Sequence, residues 1–130
     1  MYIKYNPNPY HLRTEDCVIR AIAKAENASW YKIYLDLCIY GLICADLPIR
    51  NNVWGRLLND RNYEYISIPN TCPFCYRIKD FCKDNPTGTF VLGTEHHAVC
   101  VIDGDYYDAW DSGDEIPVYG FKKEDKSGVQ

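Results

Sequence analysis

Two alternating runs separated by Asp103-Gly104 constrain this chain more than any other feature. "HHAVCVI" (His96–Ile102) precedes the pair and "DYYDAW" (Asp105–Trp110) follows it. Asp-Gly supplies the positive-φ residues that a two-residue hairpin turn requires. The runs are therefore expected to pair antiparallel, in a register set by the turn. A two-residue turn puts His97 opposite Trp110, with Asp108 on the same face one diagonal step away. A three-residue turn slips the register by one and puts Asp111 opposite His97. His96 points to the other face in either register.

The rest of the second half also reads as strand. "GTFVLGT" (Gly88–Thr94) is one strand, and "EIPVYGF" adds an edge strand, where Pro117 is tolerated. Tyr63–Ile68 alternates and is stopped by Pro69. The first half is helical after an irregular stretch over residues 1–13 with two Asn-Pro pairs. Thr14 is the expected N-cap of a first helix, which makes Cys17 its third helical residue. Cys17, Val18, Ala21, Ile22 and Ala25 form its buried stripe. Ser29 caps a second helix, Trp30 to Tyr40, ended by Gly41. A third runs from about Asn52 to Asp60. Thr71 or Cys72 caps a fourth, with Pro73 in its first turn, reaching about Asp84. Helices followed by an antiparallel sheet define an α+β domain over residues 1–121, with 122–130 a flexible polar tail.

Composition narrows the partners. A chain of 130 residues, 47% hydrophobic, can bury one core without staples. A net charge of -4 argues against a nucleic-acid partner. No apolar run approaches the ~20 residues that span a bilayer, so no membrane partner is expected. The first residues lack an apolar signal core, which makes cytoplasmic the expectation. Seven cysteines, odd in number and irregular in spacing, read mostly as reduced, buried fillers.

One of those cysteines is placed for chemistry. A nucleophilic thiol needs a lowered pKa, a base within reach, and a group that orients the base. Cys17 at a helix start meets the first need through the helix dipole and the open backbone N–H groups there. Glu15 and Asp16 oppose it unless they point away. His97 is the base candidate; Asp108, or Asp111 in the slipped register, is the orienting carboxylate.

The order of these motifs resembles the papain-like cysteine peptidase superfamily. Its members carry a Cys at a helix start, then a His-Ala-Val run, then Asn-Ser-Trp on the next strand. Here these are Cys17, His97-Ala98-Val99 and Asp108-Ala109-Trp110. The early "DC" pair and the Asp as third member look like the small bacterial branch that includes bacteriocin-leader peptidase domains. The resemblance implies a papain-like fold, with the nucleophile helix first and a sheet behind it. It implies a small bacterial or phage protein that hydrolyses an amide bond in a peptide or protein substrate without a cofactor. Such families carry a Gln ahead of the Cys that helps hold the oxyanion. In this chain His11 and Asn8 occupy that segment, so they and the Cys17 backbone N–H are the candidate oxyanion donors.

Two rival readings stand beside this one. The first is a papain-like protein-binding module without turnover. The second is a zinc-stabilised interaction domain built on Cys72, Cys75 and Cys82 of "TCPFCYRIKDFC". CxxC spacing suits zinc, but a fourth ligand would have to come from Cys38, Cys44, Cys100 or a His. A redox CxxC at a helix start is a further use of the same pair.

Overall fold

A computed structural model describes residues 1–124. The elements run β1 (Tyr2–Lys4), α1 (Cys17–Glu26), α2 (Trp30–Cys44), α3 (Asn51–Asp60), β2 (Tyr63–Ser67), α4 (Ile78–Asp84), β3 (Thr89–Gly93), β4 (Ala98–Ile102), β5 (Asp105–Asp108) and β6 (Tyr119–Lys123). Six strands form one sheet in the order β1-β5-β4-β3-β6-β2. The α+β class expected from the sequence holds.

The hairpin register is the two-residue one. Cys100 pairs with Tyr107 and Ile102 with Asp105. Asp103 and Gly104 both have positive φ, +50° and +81°, as the primed turn demands. Carried three pairs further, the same register brings His97 level with Trp110.

Helix α1 lies over the centre of the sheet. Val18, Ala21, Ile22 and Ala25 pack with Leu37 of α2, Leu57 and Leu58 of α3, and Val91 and Cys100 of the sheet. Small residues on α1 allow this close approach, and each large apolar side chain buried contributes roughly 1.5–3 kcal/mol. A second cluster joins Ile78 and Phe81 of α4 to Phe90, Leu92, Val99 and Val101. Burial from both sides explains why β3 and β4 read as nearly continuous apolar runs.

Several boundaries differ from expectation, each for a physical reason. The sheet is mixed rather than purely antiparallel, because residues 2–4 form β1 and pair parallel with β5. The N-terminal ammonium, hydrogen-bonded to the Gly104 carbonyl at 3.1 Å, anchors that short strand. Helix α1 begins at Cys17 with Asp16, not Thr14, at its N-cap, so Cys17 is the first helical residue rather than the third. Gly41 does not end α2, which continues to Cys44. It is a packing residue: a Cβ there would lie 2.9 Å from the Asp46 carbonyl oxygen. Helix α4 starts at Ile78 and not near Cys72, because the Asp80 carboxylate accepts from the Arg77 N–H (3.0 Å) and fixes the start there. Strand β6 lies between β3 and β2 and is not an edge; Pro117 stays outside the ladder. Lys122 and Lys123 belong to β6, and Lys123 reaches Glu26 at 3.3 Å, so the expected tail at 122 starts too early. Its remainder, 125–130, lies outside the described residues.

Candidate active site

The N-terminus of α1 faces the end of the β4–β5 hairpin across a cleft of about 680 Å³. Cys17 and His97 both line it, with Trp110 beside them. His97 is held by the turn that leads into β4, where the Thr94 N–H donates to the His97 carbonyl at 2.8 Å. Its Nε2 lies 2.5 Å from Asp108 Oδ2. That leaves Nδ1 as the ring nitrogen for the thiol. The Trp110 ring lies over the imidazole with centroids 4.6 Å apart, restricting its rotation and its access to water.

Asp108 is 1% exposed and fully engaged. Its Oδ2 also accepts from Ser112 Oγ (2.6 Å), and its Oδ1 accepts from the Ala109 N–H (2.7 Å) and Arg20 Nη2 (3.1 Å). Burial raises its pKa, but the bonds to His97 and Ser112 outweigh this and hold it below the ordinary carboxylate value. Asp111, the alternative partner, is exposed and turned elsewhere; it accepts from the Tyr106 hydroxyl and from the Gly113 N–H.

The electrostatics favour an ion pair. Burial pushes the Cys17 thiol up, but hydrogen bonding to His97, the His97 charge, the Ala98 backbone and Arg20 together bring it below its ordinary value. Burial lowers His97, yet its bonds to Asp108 and Cys17 raise it to about 9. The two shifts run in opposite senses, as a thiolate–imidazolium pair requires. Of the two acids beside the thiol, Asp16 is neutralised. Its carboxylate pairs with Arg20 and accepts from the Trp30 indole N–H at 2.9 Å. That engagement also explains why Asp16 does not cap α1 with its side chain, which leaves the first-turn N–H groups open to a ligand. Glu15 stays exposed at the rim.

Neither proposed side-chain oxyanion donor reaches the cleft. Asn8 is buried, with its carbonyl oxygen accepting from the Tyr10 and Leu12 N–H groups and its amide directed at Asp16 (3.4 Å). His11 is exposed, sits at φ +54°, and does not line the cleft. The segment that was expected to donate is instead folded on itself by Asn8. Of the three candidates, the Cys17 backbone N–H remains.

The zinc set does not assemble. Cys72 and Cys75 are joined to each other by a disulfide in an exposed turn ahead of α4, whereas Cys82 is buried in the second core. Among the described residues, no group of three or more His, Cys, Asp or Glu is arranged to hold a metal ion, and no helix is long and apolar enough to cross a membrane. The CxxC is also not at a helix start, as a redox motif would be.

Residues that sequence reasoning passed over complete the site. Arg20 bridges Asp16 and Asp108 and stacks 5.3 Å from the Trp110 ring centroid. Its signal was visible: a lone arginine amid the apolar positions of "CVIRAIA" needs buried acidic partners. Ser112 and Trp30 had no such signal. Asn51 also lines the cleft, with its Oδ1 accepting from Trp54 Nε1 at 3.1 Å. Tyr119 forms another wall because Gly93 leaves room for its ring; a Cβ at Gly93 would lie 2.3 Å from it. Compared with family models, curated proteins and solved structures, the chain matches none.

The coupling predicts a positioning role for Asp108. Asp108→Asn is expected to lower the His97 pKa and to slow alkylation of Cys17 at pH 6 by about tenfold. Site-resolved mass spectrometry of iodoacetamide-treated protein checks this. An unchanged rate would mean that Asp108 does not act through His97.

Proposed function

We propose that this chain is a thiol-dependent hydrolase of amide bonds, a cysteine peptidase or amidase with a papain-like arrangement of its site. The observation that carries the reading is that Cys17 and His97 line one cleft, with His97 Nε2 bonded to the buried Asp108 carboxylate. His97 takes the thiol proton, and the thiolate attacks the substrate carbonyl carbon. The Cys17 backbone N–H at the start of α1 holds the oxyanion. His97 then protonates the leaving amine as the C–N bond breaks, leaving a thioester on Cys17. Water, losing a proton to His97, attacks the thioester, and the acid product leaves as the thiol reforms. Asp108 keeps Nε2 protonated and the ring oriented. The substrate class is a peptide or protein, and none of these steps calls for a cofactor.

The pH dependence has a determinate sign. Turnover needs the thiolate, so it rises as pH climbs through the lowered value of Cys17. It also needs the imidazolium, so it falls as pH climbs through about 9, where His97 loses its proton. The expected profile is a bell with its alkaline limb near 9. A proteome-derived peptide mixture, read for new termini by mass spectrometry, tests turnover and supplies a substrate for the profile. No Cys17-dependent cleavage of peptide or simple amide would favour the binding module, a reading that the absence of Asn8 and His11 from the cleft supports.

A further inference from the structure

Helix α2 presents to solvent a face of the kind proteins usually bury. Tyr31, Tyr34, Leu35, Ile39, Leu42 and Ile43 are between 45% and 84% exposed. Its opposite side holds the core contacts, through Ile33, Leu37 and Gly41. The two charged residues of α2 pair with each other, Lys32 with Asp36 at 2.8 Å, and Asp36 also pairs with Arg61. Leu47, 57% exposed, extends the patch beyond the helix and lines a shallow groove with Cys38, Leu42 and Pro48. Isolated exposed leucines are ordinary, but a contiguous patch of this size marks an interaction surface. None of the α2 residues lines the Cys17 cleft, so the patch is not part of that site.

We propose that this face is a two-fold interface between copies of the chain, formed by antiparallel packing of α2 on α2. Tyr31, Leu35, Cys38 and Leu42 recur at spacings of four, three and four, the seam of a helix pair. Antiparallel pairing sets Tyr31 against Leu42 of the second copy, and Leu35 against Cys38 of the second copy. In the central layers the small thiol leaves room for the leucine. A two-fold arrangement needs one self-complementary patch, which this stripe supplies. Covering the exposed part of these side chains and Leu47 removes on the order of 700 Å² per copy, close to the half-share of a standard stable interface. A membrane surface fits less well. Interfacial helices carry a lysine- and arginine-rich polar face, whereas α2 has one lysine, already paired, in a chain of net charge -4.

Sedimentation velocity at about 0.1 mM protein tests the proposal, a concentration at which an interface of standard size is expected to be saturated. The wild-type chain is expected to sediment at twice the monomer mass. Leu35→Glu and Leu42→Glu place a carboxylate in the seam and are expected to weaken dimerisation at least about 100-fold. Both side chains are exposed, so the far-UV circular dichroism spectrum at 25 °C should hold and separates a lost interface from a lost fold. A monomeric wild type, or variants that dimerise as tightly as wild type, overturns the proposal. A monomer that cosediments with phosphatidylcholine–phosphatidylserine vesicles through Leu42 would reassign the patch to a membrane surface; a monomer that does not would leave it to a different protein.

Discussion

Cys17→Ala is expected to abolish amide hydrolysis, a loss of at least about 10⁴-fold, because it removes the thiol proposed to form the acyl intermediate. The same thiol should betray itself without any substrate. An ordinary thiol, with a pKa near 8.5, loses roughly 80-fold of its thiolate between pH 8 and pH 6. Burial raises the Cys17 thiol but His97 brings it below its ordinary value, so its iodoacetamide rate should fall less steeply over that range. His97→Ala should restore the steep fall, since it removes both the hydrogen bond and the positive charge. The chain contains its own controls. Burial raises Cys82 to about 11 and pushes Cys100 higher still, so neither should label under native conditions. Peptide-resolved mass spectrometry reads every cysteine in one experiment. A Cys17 rate as steep in pH as that of an ordinary thiol would remove the nucleophile and the hydrolase together.

How much of this was legible beforehand depends on the range of the interaction. The β4–β5 hairpin is local: its turn chemistry set the register, and the register placed Asp108 beside His97. Helices α1 to α3 were legible through periodicity and the Ser29 cap, which the structure keeps, with Ser29 accepting from the Lys32 N–H. What failed was side-chain pairing and edge pairing, which periodicity does not report. Asp16 was read as a nuisance charge next to the thiol, although Arg20 lies one helical turn on; its other partner, Trp30, comes from α2 and meets it only in the folded state. Asn8 was read as a free donor, although its buried position commits it to the loop it closes. β1 is too short to show alternation and exists only because β5 offers an edge to pair with. Cys72-x-x-Cys75 looked like a helix start because Pro73 suits a first turn, yet the Arg77–Asp80 bond set the start five residues further on.

Arg20→Met is expected to destabilise the fold by about 3–5 kcal/mol, the cost of leaving buried carboxylates without their cation. Arg20 is 4% exposed, Asp16 is 2% and Asp108 is 1%, so solvent cannot compensate for either acid. Methionine fills much of the same volume, which separates the charge effect from a cavity. With a urea m-value of about 1–3 kcal/mol/M, the unfolding midpoint should drop by at least about 1 M. The site should suffer as well, because the guanidinium ties the helix that carries Cys17 to the hairpin that carries His97. Asp16 sits one residue before Cys17, and Asp108 holds His97, so a single side chain sets the spacing of Cys17 and His97. The variant should therefore lose the shallow pH dependence of Cys17 labelling even under conditions where it remains folded. Restoring charge balance tests this reading. If Arg20 serves mainly to neutralise Asp16 and Asp108, adding Asp16→Asn to Arg20→Met should recover part of the lost stability, with a coupling of about 1 kcal/mol or more. Strict additivity of the two substitutions would mean that the arginine stabilises α1 by packing alone, and that its contacts with the two acids are incidental to the site.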